Sequence, residues 1–367
     1  MSSNAPTVSV VIPMYNVAST LDQCLESIEK QTFTDLQVIC MNDGSTDDSA
    51  AIARAHAARD GRIVVVDKAN EGYGATMNRG IAAASGKWIA IVEPDDYLDP
   101  TAFEKLVACA DGVTAASGKG VDVVRCAYWR VFEEAKGGET RAACPYIHRV
   151  KPASQPFSVG DGVELLLHHP AIWAGMYRRE FLEQRDIRFK EVPGAGWTDN
   201  PFLVQTLCGA GEGIAYVDEA LYFYREHDFN DAEALAKKSP ATPLTRWNEM
   251  MDAAEGLGVD DVRVLDALAL RGVNYATITV SAAGMDDPDV RELVERSMAR
   301  LEPARVFALP ALSSGAKAMF AQVRGIEVPK ENKASRYGYL AREAAYRVRT
   351  NGLGFVVQNV KKRLNRL

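Results

Sequence analysis

Residues 62–96 read RIVVVDKANEGYGATMNRGIAAASGKWIAIVEPDD, and this stretch decides the fold. RIVVVD (62–67) is a β-branched run suited to a strand, and GYGATMNRGIAAASG (72–86) has helical spacing closed by Gly86. KWIAIV (87–92) is a second strand, apolar on both faces. Strand, helix, strand in so few residues means two parallel strands joined by a crossover helix. Working outward, the same alternation continues. VSVVIP (8–13) and LQVICM (36–41) read as strands. Residues 19–31 read as a helix with Leu21, Leu25 and Ile28 on one face. Residues 45–57 read as another, with Ser45 as its cap and Asp47 and Asp48 in the first turn. TAFEKLVACA (101–110) is a further helix. Strands apolar on both faces require helices on both sides of a parallel sheet.

Beyond this unit, VDVVRCAYWRVF (121–132) reads as a strand, GDGVELLLHH (160–169) as a helix and YRREFLEQ (177–184) as a short helix. IAYVDEALYFYRE (214–226) reads as extended chain broken at Asp218–Glu219. From 231 to 325 the apolar spacing is helical, divided by prolines. The last stretch is an amphipathic helix interrupted at Gly352 and Gly354. The expected fold class is α/β: a doubly wound, mostly parallel sheet flanked by helices, followed by a helical C-terminal region. Three units are expected, at 1–228, 229–329 and 330–367.

The formal charge of -7 argues against general nucleic-acid binding. That charge is uneven. Residues 330–367 hold ten Lys/Arg against Glu331 and Glu343, a net +8, which leaves -15 for the remainder. Six cysteines are scattered without a C-x-x-C pair, as expected of small buried side chains in a reducing compartment. MSSNAPTVSVVIP has no basic segment leading into a long apolar core, and no uncharged run is long enough to span a membrane. The expected location is cytoplasmic.

Ligands of open parallel sheets bind outside the carboxyl ends of the strands. Here the first strand runs into Pro13-Met14-Tyr15-Asn16, the second into Asn42-Asp43-Gly44-Ser45 and the fourth into Glu93-Pro94-Asp95-Asp96. A dinucleotide fingerprint is missing after the first strand, Gly72-Tyr73-Gly74 lacks the third glycine, and there is no G-x-x-x-x-G-K-[ST] loop. Three carboxylates at one strand end repel one another unless a cation, a proton or solvent intervenes. A divalent ion between these acids and a phosphate is one reading, with hard oxygen ligands favouring Mg²⁺ or Mn²⁺. A solvated acidic turn is the other.

These segments resemble family 2 glycosyltransferases of the GT-A fold over roughly residues 7–228. VSVVIPMYN is similar to the family's opening strand, NDGSTDDS to its nucleoside-binding turn and EPDD to its D-x-D-D. GWTDNPF (196–202) stands where the family carries its acidic catalytic pair, and ALYFYREH (220–227) resembles Y-x-Y-R-x-H. The resemblance implies an inverting transferase that moves a sugar from a nucleoside-diphosphate donor, UDP-linked by likeness to the family, to a glycan or lipid-linked acceptor. Asp43 would accept a hydrogen bond from the base, with Pro13, Tyr15 and Asn16 lining the nucleoside pocket and Asn78 also on the donor. Asp95 would bind Mn²⁺ or Mg²⁺, with Glu93 near the ribose or the metal and Asp96 bracing the pair. Asp199 would be the general base, and Arg225 and His227 would meet the diphosphate or the metal. Trp173 and Trp197 are expected near the acceptor, since aromatic faces stack on sugar rings; core packing is the other reading for Trp173.

Three departures stand out: Glu93-Pro94 for Asp and a small residue, Thr198 for the usual Glu, and Met77 where the family often has Arg. They keep open a GT-A scaffold without turnover. A sugar nucleotidyltransferase is a third reading, although IPMYNVAST is no glycine- and arginine-rich phosphate loop. His168 and His169, taken as helical neighbours, are expected to face opposite ways. Tyr222 and Tyr224 are expected in the core. The basic tail is either a solvated helical cap or an anchor to an anionic membrane face through Lys361, Lys362, Arg363 and Arg366 beside Phe355, Val356 and Val357.

Overall fold

The structure is a computed structural model that describes residues 5–133, 138–226, 238–330 and 333–364. Its centre is a sheet of nine strands among the described residues. Strands β1 (Val8–Met14), β2 (Leu36–Asn42), β3 (Ile63–Asp67) and β4 (Trp88–Ile91) run parallel in the order β3-β2-β1-β4. The crossovers are α1 (Ala18–Glu29), α2 (Ser49–Arg59) and α3 (Tyr73–Ala83). Every residue of β1 and β4 is buried, as strands covered on both faces must be.

The second half of the sheet is mixed. After β5 (Tyr97–Leu98) and α4 (Ala102–Ser117) come β6 (Val123–Glu133) and β7 (Glu139–Ala143), which pair as an antiparallel ladder. Then follow α5 (Glu164–Leu167), β8 (Gly175–Arg178), α6 (Arg179–Gln184), α7 (Asp199–Gly209) and β9 (Ile214–Arg225). β8 bridges the halves, antiparallel to both β4 and β6; β9 is parallel to β6 and antiparallel to β5. The helical region comprises α8 (Thr242–Gly256), α9 (Val262–Ala283), α10 (Pro288–Ala299), α11 (Pro303–Ala308) and α12 (Ser314–Arg324), followed by the tail helix α13 (Lys333–Leu364). Helices α8 and α9 meet where Gly272 leaves room for the buried Trp247 indole, which donates to Leu268 O at 2.8 Å; a Cβ on Gly272 would lie 2.4 Å from that ring.

Several local expectations change. The 45–57 helix starts at Ser49, and Ser45 Oγ accepts from Asn16 N at 3.1 Å instead of capping it. Gly86 does not close α3, which ends at Ala83; it lies where a Cβ would press on Ser9 N at 2.6 Å. The 160–169 helix contracts to the single turn of α5. Tyr177 and Arg178 belong to β8, so the 177–184 helix begins only at Arg179. β9 runs through Asp218–Glu219, and the irregularity there is a register shift against β6 between Cys126 and Tyr128. The tail helix breaks at Gly352 (φ 82°) but not at Gly354.

The tail is docked. Tyr346 donates to Ile147 O at 2.8 Å, Ala143 N donates to Asn351 Oδ1 at 2.7 Å, and Arg149 pairs with Glu343 at 2.9 Å. All six cysteines are free, four of them buried. No helix of the described residues is long and apolar enough to cross a membrane.

Candidate active site

The turn after β4 is held by β9. Tyr222, 1% exposed, accepts from Glu93 N at 3.0 Å and donates to Asp96 Oδ2 at 2.8 Å. Asp96 Oδ1 accepts from Arg225 N at 2.8 Å, and Asp96 N closes the turn on Glu93 O at 3.1 Å. Asp96 is wholly buried, and burial, then the neighbouring Asp95 charge, pushes its carboxyl well above the usual range. It braces the turn, the role the resemblance implies for it, and its buried carboxyl leaves no contact for a donor. Arg225 is likewise turned inward. Its guanidinium donates to Asp95 O at 2.6 Å, meets Gln23 Oε1 and pairs with Glu133 at 3.1 Å. The expected contact of Arg225 with the diphosphate gives way to support of the acidic turn. His227 lies outside the described residues.

A cavity of about 700 Å³ opens beside this turn. Glu93 and Asp95 form one side, and Trp197, Thr198 and Asp199 at the start of α7 form another. Glycines explain how the second side arrives there. Gly72 and Gly74 lie under the chain at 190–194; a Cβ on Gly74 would fall 1.9 Å from Lys190 O, and Tyr73 N donates to Gly194 O at 3.0 Å. The Gly-Tyr-Gly run thus serves close backbone packing. Asn78 serves it too. Its side chain exchanges bonds with Phe189 N and O at 2.9 and 3.0 Å and donates to Glu191 Oε1 at 2.9 Å. Asn78 therefore anchors the segment leading to Asp199, which replaces its expected place on the donor.

Crowded acids dominate the electrostatics. Tyr73 donates to Glu93 Oε1 at 2.6 Å, yet burial, with the Asp95 and Asp199 charges added, pushes the Glu93 carboxyl up to about 8. Burial also raises Asp199, against the pull of the Arg271 charge and a bond from Asn200 Nδ2 at 3.1 Å. Among the described residues no three His, Cys, Asp or Glu converge as a ready-made metal cage. That donor set suits Mg²⁺ or Mn²⁺, which take one or two carboxylates and fill the remaining places with water and substrate phosphate oxygens.

The far wall comes from the helical region, where no site residue was expected. Arg271, only 5% exposed, donates to Leu166 O at 3.0 Å, His168 O at 2.5 Å and Tyr275 Oη at 2.8 Å, and meets Asn200 Oδ1. Tyr275 also donates to Asn200 Oδ1, at 2.7 Å. The boundary drawn at 228 therefore cuts through the cavity. The available signal was a lone Arg in the apolar run LDALALRGVNYATITV (265–280). His168 and His169 follow the end of α5, and both reach the cavity wall, contrary to the helical reading. Tyr224 lines the cavity as well, whereas Tyr222 is core as expected. Trp173 and Trp197 are both on the wall; Trp173 stacks on Tyr222 at 4.2 Å, and Trp197 meets Tyr275 edge-on at 5.4 Å.

At the ends of β1 and β2 the expected nucleoside residues lie together. Tyr15 is 51% exposed, Pro13 is buried in β1, and Asn16 Oδ1 accepts from Thr46 N at 2.8 Å. Asp43 is 4% exposed. It accepts from Glu71 N at 2.9 Å and Gly72 N at 3.0 Å and pairs with Lys68, so it also ties the third strand's exit to the second. A carboxylate has about four acceptor sites, which leaves one for a ligand.

Comparison with known proteins agrees with this geometry. EpsJ, an uncharacterized glycosyltransferase of Bacillus subtilis (strain 168), is 32% identical over 234 residues, 60% of this chain and 62% of its own length. YibD, an uncharacterized glycosyltransferase of Escherichia coli (strain K12), is 31% identical over 230 residues, 62% of this chain and 64% of its own. The chain thus spans less than two thirds of these relatives. S. aureus TarS 1–349 superposes with a TM-score of 0.66 over 91% of both chains at 17% identity, and its UDP-GlcNAc complex with 0.65 over 91% and 92% at 18%. That likeness establishes the fold, a GT-A-type mixed sheet with flanking helices and a helical C-terminal region. Residues 9–136 match the model of glycosyl transferase family 2.

Proposed function

We propose that this protein is an inverting glycosyltransferase of cell-surface polysaccharide or glycan synthesis, moving a sugar from a UDP-linked donor to an acceptor hydroxyl. One observation carries the reading: Asp199 shares a cavity with Glu93 and Asp95 at the carboxyl edge of the parallel strands. The base and ribose occupy the ends of β1 and β2, against Pro13, Tyr15, Asn16 and the remaining acceptor site of Asp43. The UDP-GlcNAc complex of the similarly folded TarS supports a uridine donor.

Asp95 and His227 would hold Mn²⁺ or Mg²⁺, which supplies positive charge to the departing diphosphate. The chain's own residues do the rest. Asp199 takes the acceptor hydroxyl's proton as its oxygen bonds to the anomeric carbon and the bond to the diphosphate oxygen breaks on the opposite face. Attack from the far face inverts that centre. The raised Asp199 carboxyl is a stronger base than a free one and is poised for that proton. Trp197 offers an aromatic face to the sugar rings, Trp173 being packed in the core against Tyr222 and Tyr224, while Glu93, fixed by Tyr73 and Tyr222, bounds the donor side.

Thermal-shift measurements test the assignment. UDP and UDP-sugars with Mn²⁺ are expected to raise the melting point, a hundredfold excess over Kd stabilising by about 2.7 kcal/mol. Asp95→Asn is expected to abolish the Mn²⁺-dependent part. Indifference of the wild type to every nucleoside diphosphate, with or without Mn²⁺, overturns the reading.

The tail supports a peripheral place on an anionic membrane face, which would suit a lipid-linked acceptor. Tyr337, Leu340 and Leu353 are 66%, 46% and 64% exposed in a segment of net +8. Binding of the full chain to anionic liposomes at low salt, lost at high salt, is the expected result. No sedimentation with such liposomes removes this part.

A further inference from the structure

A second cavity, of about 450 Å³, lies where the tail helix crosses the β6–β7 ladder. It shares no wall residue with the first. Successive side chains of a strand face opposite ways. Tyr128 packs on Trp173 of the first cavity's wall at 4.8 Å, and its neighbour Trp129 lines the second. The other walls are Ile147, His148 and Lys151 from the chain after β7, and Tyr346, Arg349 and Thr350 from the tail helix. The volume falls within the roughly 300–1,000 Å³ typical of small-molecule sites.

Charge accounting shows what belongs there. His148 is tied to Asp218, which accepts its backbone N–H at 2.7 Å and lies 2.8 Å from its Nδ1. Arg149, just behind the wall, has Glu343 as partner and covers the Tyr346 ring from 3.5 Å. Lys151 and Arg349, in contrast, have no acidic partner among the described residues, and no acid lines the cavity. The Trp129 indole N–H likewise has no protein acceptor among the described residues, and its ring is half-buried. Lys151 and Arg349 are both exposed and reach the cavity from two different segments, so an anion held in it meets both charges. The half-buried Trp129 indole, with its N–H beside its flat face, suits a ring with both apolar and hydroxyl-bearing sides.

We propose that this cavity is a second binding site, which takes a saccharide unit carrying a phosphate or carboxylate. The anion lies between Lys151 and Arg349, and the sugar ring lies against Trp129 and Tyr346. Because the walls are separate, occupancy does not depend on the transfer reaction assigned to the first cavity. The tail helix supplies three of the eight wall residues, so the site exists only while that helix is docked.

Calorimetry on the full chain with N-acetylglucosamine 1-phosphate and with glucuronate tests this, methyl glucoside serving as the neutral control. The charged sugars are expected to bind and methyl glucoside not. Lys151→Ala with Arg349→Ala is expected to weaken binding at least about tenfold, the loss of two charge-assisted contacts. Trp129→Phe, which keeps the packing, is expected to weaken it less. The response of each variant to UDP and Mn²⁺ should match the wild type, which separates this result from a failure of the transferase reading and from misfolding. Unchanged affinity in the double variant, or equal affinity for methyl glucoside, overturns the proposal. Binding to phosphatidylglycerol vesicles without binding to either charged sugar also overturns it and assigns the cations to a membrane contact.

Discussion

Asp199→Asn is expected to lower sugar transfer by about 10²–10⁴-fold, the range over which a positioned general base accelerates a reaction. The substitution is nearly isosteric, and the bond from Asn200 Nδ2 to Oδ1 can persist, so the start of α7 should hold its shape. What disappears is the group that receives the acceptor proton in the proposed mechanism. The proposed donor site lies at the ends of β1, β2 and β4, so the affinity for a UDP-sugar should stay within about twofold while turnover collapses, as for an interaction made only in the transition state. Nucleoside diphosphate release with acceptor present, measured beside donor affinity by calorimetry, separates the two. Transfer within tenfold of wild type would remove Asp199 from the mechanism. A fall in donor affinity equal to the fall in turnover would move it to the donor side of the cavity.

The half of the site that sequence made legible is the half built by local rules. Strands β1 to β4 are apolar on both faces, and their polar exits, Tyr15-Asn16, Asn42-Asp43 and Glu93 to Asp96, fall on one edge because the strands are parallel. What stayed hidden depends on long-range pairing. β8 has four residues, and YRREFLEQ has helical spacing; only its place between β4 and β6 makes Tyr177 and Arg178 extended. Motif order also marked Arg225 and Asn78 as ligand contacts, although their polar atoms are engaged by their own chain. Residue type along a sequence shows that a polar group is needed at a place. It does not show whether substrate or protein uses the group. The helical region carried the least signal, since Arg271 stands in an apolar helix and, Tyr275 apart, its partners Leu166, His168 and Asn200 are more than seventy residues away in sequence.

Arg271 is the clearest case of a positioning residue supplied from beyond the matched family domain, and its removal is expected to act on both stability and the pH profile. Arg271→Met keeps much of the stem's packing but withdraws donors from Leu166 O, His168 O and Asn200 Oδ1, of which only Asn200 retains another, Tyr275 at 2.7 Å. A buried acceptor left without a partner costs about 1–3 kcal/mol, so the two carbonyls together predict a loss of roughly 2–6 kcal/mol. Chemical denaturation measures it. The electrostatic effect is separate. Arg271 is the chief charge opposing the rise of the Asp199 carboxyl caused by burial, so without it that carboxyl rises further. A base works only when deprotonated, and the acid limb of the transfer rate must therefore move to higher pH in Arg271→Met. Arg271→Lys keeps the charge and should leave the limb near its wild-type position while still losing stability, because one ammonium cannot reach all four partners. A purely structural role for Arg271 would lower stability in both variants and leave the limb where it was in each; that result would detach Arg271 from Asp199.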